Sequence, residues 1–111
     1  MNKFELFTMI FMALDADRDD THDEELGRFL SGMNPYLFKE VTSAVPSVFM
    51  DFEDVIGNQE ITIENSFELA QKYIATVDVN AVQDSFNLLE KEQWMNVCRE
   101  YLSEPHKGQD S

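Results

Sequence analysis

The sequence predicts an all-α fold, a single domain of six or seven short helices. Three observations support this prediction. Apolar residues recur at spacings of three and four along most of the chain, glycine and proline stand at the ends of these segments, and the two short β-branched stretches are too small to build a sheet. A chain of 111 residues with 43% hydrophobic residues and nine Phe is typical of one folded domain rather than a disordered acidic segment.

The first predicted helix is apolar on almost every side. Aromatic and aliphatic residues repeat at helical spacing, and further apolar residues fill the positions between them. We therefore expect this helix to be central, covered either by the other helices of the chain or by a second copy of it. The repeat consists of Phe4, Phe7, Phe11 and Leu14, with Leu6, Met9, Ile10 and Met12 between them.

An acidic stretch, Asp15–Glu25, follows this helix and holds seven carboxylates in eleven residues. We expect its first part to be an interhelical loop. Thr21 and Glu24 then have the spacing of a capping box, which predicts a second helix from about His22 to Ser31. The acids of that first turn match the positive end of the helix dipole. The apolar residues of this helix are Leu26, Phe29, Leu30 and Met33.

Proline opens the next two predicted helices, because its fixed φ suits the first helical position. A short third helix follows Pro35, and a fourth begins at Pro46 and ends at Gly57. The third carries Leu37, Phe38 and Val41, and the fourth has the apolar stripe Val48, Phe49, Phe52, Val55 and Ile56.

Three more helices complete the predicted domain. Thr62 or Asn65 begins the fifth, Asp78 caps the sixth, and the last runs from about Glu90 to Leu102. Their apolar stripes are Ile63, Phe67, Ala70, Ile74 and Val77, then Val79, Val82, Phe86 and Leu89, and finally Trp94, Val97, Cys98, Tyr101 and Leu102. The helical domain is thus predicted to span residues 1–103, and the polar residues 104–111 are predicted to form a flexible tail.

Charge restricts the classes of partner. Eight basic and 22 acidic residues give a formal net charge of −14, which repels nucleic acid and anionic membrane surfaces and attracts a basic protein. A helix needs about 18 consecutive apolar residues to span a bilayer, and no apolar run in the sequence is that long. The single cysteine, Cys98, fits a reducing compartment. The predicted location is therefore the cytoplasm.

No catalytic constellation is visible in the sequence, and we expect the protein not to be an enzyme. His22 lies among acids and His106 in the predicted tail, so neither has a nucleophile to serve. Cys98 lies on the apolar face of the last helix, where a buried structural thiol is expected. Neither a Gly-rich phosphate loop nor a Cys and His cluster with metal-ligand spacing is present.

The alternating carboxylates between an aromatic-rich helix and a following helix resemble an EF-hand calcium loop. The resemblance covers residues 4–33 and implies a site for a divalent cation, Ca²⁺ or Mg²⁺. The ligands it implies are Asp15, Asp17, Asp19 and Glu25. The sequence departs from the family pattern at Asp20, where the loop has Gly, and at Leu26, where the bidentate carboxylate belongs; Glu25 stands one place earlier.

The sequence favours a small, non-catalytic protein-binding module, of the immunity or inhibitor type, that covers a basic partner with acidic side chains. The expected contact residues are Asp19, Asp20, Asp23 and Tyr36, which combine negative charge with an aromatic anchor. Two alternatives stay open, namely a degenerate EF-hand-like cation site and a helical domain without a ligand. No cofactor is expected beyond a weakly held cation, and the chain is expected to be a monomer or a homodimer.

Overall fold

Six α-helices make up the described part of the chain, and no described residue lies in a β-strand. The structure, a computed structural model, describes residues 1–21, 23–37, 39–40 and 42–108, with the backbone alone for residues 19–21. The prediction of an all-α domain is confirmed. The helices are α1 (Lys3–Thr21), α2 (Glu24–Met33), α3 (Pro46–Ile56), α4 (Ile63–Thr76), α5 (Asn80–Phe86) and α6 (Lys91–Ser103).

Helix α1 is the central element, as its apolar sequence predicts. It contacts α2, α3, α4 and α5, so the chain's own helices cover it on several sides. Its side chains from Phe4 to Leu14 are buried, apart from Met12 and Ala13. No helix among the described residues has the length and apolar character that crossing a membrane requires.

The acidic stretch does not begin with a loop, and that prediction is wrong. Helix α1 continues through Asp15 to Thr21, because neither glycine nor proline interrupts it and its last turns rest on α2. Arg18 extends over Gly27 of α2, where a Cβ atom would lie only 2.9 Å from Arg18 Nε. The end of α1 is thus in contact with α2.

The predicted cap at Thr21 is also wrong, since the N-cap of α2 is Asp23. The Asp23 side chain accepts a hydrogen bond from the backbone N–H of Leu26 at 2.9 Å. Asp and Thr are both good N-cap residues, but Thr21 still belongs to α1 and has helical backbone. The break between the two helices is therefore two residues later than the sequence pattern indicates.

The predicted third helix is absent from the described residues between α2 and α3, which form turns and bends. The Asn34 side chain accepts from the N–H of Tyr36 at 2.8 Å, a local bond that competes with helix. The N–H of Ala44 donates a hydrogen bond to the carbonyl of Asn34 at 2.8 Å, which joins the two ends of this segment. Phe38 and Val41, assigned to this helix, lie outside the described residues.

The later helices agree with the sequence except at one cap. Helix α3 ends at Gly57, which has a φ of 66°, and α4 begins with a capping box in which Thr62 and Asn65 each accept the other's backbone N–H. The predicted cap at Asp78 is wrong, because the N-cap of α5 is Val79, which makes no side-chain capping bond. Helix α5 is instead held by packing of Val82 and Phe86, both almost fully buried.

Residues 104–108 lie against the start of α1. Asn2 Nδ2 donates to the carbonyl of Gly108 at 2.8 Å, and Lys107 Nζ lies 5.4 Å from the centroid of the Phe4 ring. His106 pairs with Glu5 of α1. The prediction of a flexible tail from residue 104 did not include these contacts, and residues 109–111 lie outside the described part of the chain.

Candidate functional site

The predicted metal ligands do not converge where the structure describes them. Asp15 and Asp17 are two positions apart on α1, so their side chains leave the helix roughly 200° apart. Asp15 lines a cavity beside Arg18 and Gly27, whereas Asp17 lines a separate cavity on another side of the helix. Glu25 is exposed in the first turn of α2. The Asp19 side chain is outside the described part.

Metal-binding geometry is not found among the described side chains. No three of their His, Cys, Asp and Glu residues are grouped closely enough to hold an ion. The helical backbone from Asp15 to Thr21 accounts for this, because an EF-hand loop must curl around its cation so that alternate side chains point inward. A straight helix turns alternate side chains to different sides.

A second cavity, here called the acidic cavity, lies where α1, α2 and α5 meet. Its volume is about 240 Å³. Helix α5 supplies most of one wall, because residues at spacings of three and four share one side of a helix. The residues that line it are Asp17 from α1, Asp23 and Leu26 from the start of α2, and Ala81, Asp84, Ser85 and Leu88 from α5 and the turn after it.

Three acidic residues therefore line one cavity from three separate segments of the chain. Asp17 is half-buried, and Asp23 and Asp84 are exposed. None of the three forms an ion pair with a described residue. Asp23 uses its Oδ1 atom to cap α2, and its second oxygen has no hydrogen bond within the described part. The cavity thus presents negative charge that forms no ion pair with the residues the structure describes.

Ser85, in the wall of the cavity, has a buried and unsatisfied hydroxyl group. The residue is only 6% exposed, and its Oγ atom has no hydrogen-bond partner among the described residues. A buried polar group without a partner costs about 1–3 kcal/mol of stability, and such groups are rare in folded proteins. The Ser85 oxygen is closed to solvent, so this hydroxyl belongs to the packed wall behind the cavity.

No protein-family model, curated protein or solved structure matches this chain. The function of the acidic cavity is consequently argued from its own residues. Its remaining walls are apolar, formed by Leu26, Ala81 and Leu88, and Leu88 is 71% exposed at the rim. An exposed leucine beside unpaired carboxylates is a combination suited to the long apolar stem and charged head of a basic side chain.

The predicted partner-binding residues fall in different places. Asp23 lines the acidic cavity, whereas the side chains of Asp19 and Asp20 lie outside the described part. Tyr36 is half-exposed and its ring meets the Phe11 ring edge-on, with centroids 6.2 Å apart. It is not among the residues that line the acidic cavity. Partial burial raises the pKa of the Tyr36 hydroxyl above its ordinary value.

Sequence reasoning did not identify Asp84, Ser85 and Leu88 as site residues. They lie some 60 positions from Asp23, and no local pattern connects them with the acidic stretch. Only the packing of α5 against α1 and α2 brings them together. One signal in the sequence could have indicated this site. Ala81, Ser85 and Leu88 are spaced by four and three residues, which indicates a second, weakly apolar side on this helix.

Two other polar groups of the core have structural roles. Trp94 Nε1 donates to Ser66 Oγ at 2.8 Å, and both residues are buried. Cys98, fully buried nearby, is a free thiol whose pKa burial raises to about 11. A thiol with a raised pKa is a poor nucleophile, so Cys98 has the packing role that its place in the sequence indicates.

Proposed function

We propose that this protein is a binding module that recognises a basic protein through the acidic cavity and the acids around it. The observation that carries the proposal is the meeting of Asp17, Asp23 and Asp84 at one cavity without any ion pair to a described residue. The net charge of −14 supports it, because such a field speeds encounter with a cationic partner and opposes approach of nucleic acid or anionic lipid.

An inhibitor or immunity type of action follows from the same features. A small acidic domain that covers a basic active site prevents substrate from reaching it and needs no catalytic group of its own. We propose the cytoplasm as its location, since Cys98 is a free thiol and a reducing compartment keeps thiols unpaired. The divalent-cation alternative gains no support from the described residues, where Asp15 and Asp17 line different cavities.

Capture of a basic protein at low salt tests the proposal. The immobilised protein is exposed to lysate of its source at about 50 mM salt, and bound proteins are released in steps up to about 1 M and identified by mass spectrometry. At 1 M the Debye length falls to roughly 3 Å, so a partner held by charge is released. We expect one basic protein, confirmed with the purified partner.

Two triple variants with the same net charge separate a site from general attraction. Both raise the net charge by three, and all the control positions are exposed residues away from the cavity. The cavity variant is Asp17→Asn/Asp23→Asn/Asp84→Asn and the control variant is Asp54→Asn/Asp78→Asn/Glu100→Gln. We expect the cavity variant alone to lose the partner. Capture that does not depend on salt, or that both variants reduce equally, would contradict the proposal.

A further inference from the structure

We propose that residues 104–108 form a pH-sensitive strap, which stays closed on the start of α1 while the Glu5–His106 pair holds its proton and opens when that proton is lost. The strap lies outside the acidic cavity, so the inference does not rest on the proposed function. In the closed state it covers the Phe4 ring, which is 2% exposed. A Cβ atom added at Gly108 would lie only 2.6 Å from Phe4 Cδ2, which shows how closely the strap packs on α1.

The pair needs a proton because both ring nitrogens of His106 face acceptor oxygens. Nε2 faces Oε2 of the Glu5 carboxylate, and Nδ1 lies 2.6 Å from the carbonyl oxygen of Glu104. An imidazolium donates from both nitrogens. A proton on the carboxyl group serves equally, because that group then donates to Nε2 while the Nδ1–H group donates to the carbonyl. In either form the closed strap holds one proton more than a neutral imidazole beside a carboxylate.

Loss of that proton weakens a contact that is shielded from water. The side chains of His106 and Glu5 are 7% and 9% exposed. Either tautomer of the neutral imidazole leaves the lone pair of one nitrogen against an acceptor oxygen. The Glu5 carboxylate keeps the backbone N–H of Asn2 at 2.8 Å but no longer faces an imidazolium, and a buried charge that loses its opposite charge is costly. Opening of the strap returns both side chains to water and removes this cost.

Titratable side chains also approach the imidazole from other elements. They are Glu5 of α1, Tyr101 of α6, Tyr36 of the segment between α2 and α3, and Glu104 and Lys107 of the strap. The rings of Tyr101 and His106 have centroids 4.5 Å apart. Burial raises the pKa of the Tyr101 hydroxyl to about 12 and the pKa of Tyr36 above its ordinary value, so both stay neutral near pH 7. Histidine ordinarily changes its charge between about pH 5 and pH 8, so the pair sets the pH at which the strap opens.

The sign of the response follows from proton linkage. The closed strap retains a proton that the open strap releases, so rising pH favours opening. An exposed histidine has an ordinary pKa of about 6.5, and closure is therefore fully supported below that pH and lost as the pH rises above it. The closing equilibrium changes about tenfold if the closed strap binds the proton about tenfold more tightly than the open strap does.

NMR spectroscopy of the full chain, titrated from about pH 5.5 to about pH 9 across the range of histidine, tests the inference. The Hα protons of Gly108 report closure, because they lie against the Phe4 ring and the ring shifts their resonances. We expect these resonances to move to their open-chain positions as the pH rises, with the same midpoint as the ring signals of His106. The control His22→Gln removes the other histidine of the chain and should leave this midpoint unchanged.

Glu5→Gln should reverse the direction of the response. The glutamine carbonyl can still accept from the N–H of Asn2, while the NH₂ group donates to Nε2 of a neutral imidazole. We therefore expect this variant to be closed at high pH and to open when His106 is protonated, because two donors then face each other. A purely structural role of Glu5 would open the strap at every pH.

Four results would each overturn the inference. They are Gly108 resonances that do not change with pH, a midpoint that differs from that of His106, a strap in Glu5→Gln that is open at every pH, and opening of that variant in the wild-type direction. The titration uses no protein partner, so its outcome is independent of the salt-dependent capture that tests the proposed function.

Discussion

Glu5 and His106, 101 positions apart in the chain, are joined by a side-chain hydrogen bond, an ion pair when His106 is protonated, that links the first helix to the segment after the last one. Both side chains are less than 10% exposed, at 9% and 7%. His106 Nδ1 faces the carbonyl of Glu104, so a doubly protonated imidazolium satisfies both acceptors with its two N–H groups. Glu5 also accepts from the backbone N–H of Asn2 at 2.8 Å. The pair thus helps to hold residues 104–108 against α1, beside the contacts of Gly108 with Asn2 and of Lys107 with Phe4.

Replacing His106 should release this segment while the domain stays folded. In His106→Ala the Glu5 carboxylate loses the imidazole and keeps the backbone N–H of Asn2, and the contacts of Gly108 with Asn2 lose their nearest support. We expect trypsin to cleave after Lys107 faster than in the wild-type protein, as followed by mass spectrometry of the intact chain. Glu104→Ala, a change at an exposed neighbour, is the control. Equal cleavage rates in all three proteins would show that the pair does not hold the segment.

Two buried serines should respond differently to the same substitution. Ser66→Ala removes the acceptor of the Trp94 indole N–H, which is buried, and should lower the free energy of unfolding by about 1–3 kcal/mol. Ser85→Ala removes a hydroxyl without a partner among the described residues, and should leave that free energy unchanged or raise it. Denaturation in urea measures both. A larger loss in Ser85→Ala than in Ser66→Ala would contradict the assignment of these hydroxyls.

The N-cap of α2 can be tested against the cap that the sequence pattern indicates. Asp23→Ala should cost about 1 kcal/mol of stability, the usual value for a lost N-cap. Thr21→Ala should cost little, because Thr21 lies in the last turn of α1 and not at the cap of α2. Thermal unfolding of the two variants decides between them. A larger loss of stability in Thr21→Ala would favour the capping box at Thr21.

The free energy of unfolding should fall in alkaline solution, because burial raises the pKa values of one cysteine thiol and two tyrosine hydroxyls. Burial raises the pKa of Cys98 from 9.0 to about 11 and the pKa values of Tyr73 and Tyr101 from 10.0 to about 12. Above pH 9 the unfolded chain releases protons that the folded chain retains, so the unfolded state gains relative stability. Below about pH 9 these three groups should not change the free energy of unfolding. Between about pH 9 and about pH 12 they should lower it progressively.

Replacing the tyrosines should flatten this decline. In Tyr73→Phe/Tyr101→Phe the rings stay in place but the two raised pKa values are removed, so the loss of stability between pH 10 and 12 should shrink. Urea midpoints measured from pH 8 to pH 12 compare the variant with the wild-type protein. The same slope in both proteins would exclude these tyrosines as the cause of the alkaline loss.

Local sequence signals were reliable where a helix end depends on its own residues. Pro46, Gly57 and the pair Thr62 and Asn65 mark helix ends because their backbone or side chains act within one turn. The acidic stretch was different, since Asp and Thr can each continue a helix or cap one. Contact between Arg18 and Gly27 favours continuation of α1, and that contact is not visible in a local pattern.

The sequence by itself determined the all-α fold, the central place of the apolar first helix and the excess of negative charge, because periodicity, composition and charge are properties of the chain. Only the tertiary structure decided which acids act together. Asp15 and Asp17 are close in sequence and face different cavities, whereas Asp17, Asp23 and Asp84 meet at one. A helix turns neighbours in sequence to different sides, and the packing of α5 against α1 and α2 brings distant residues to the same place.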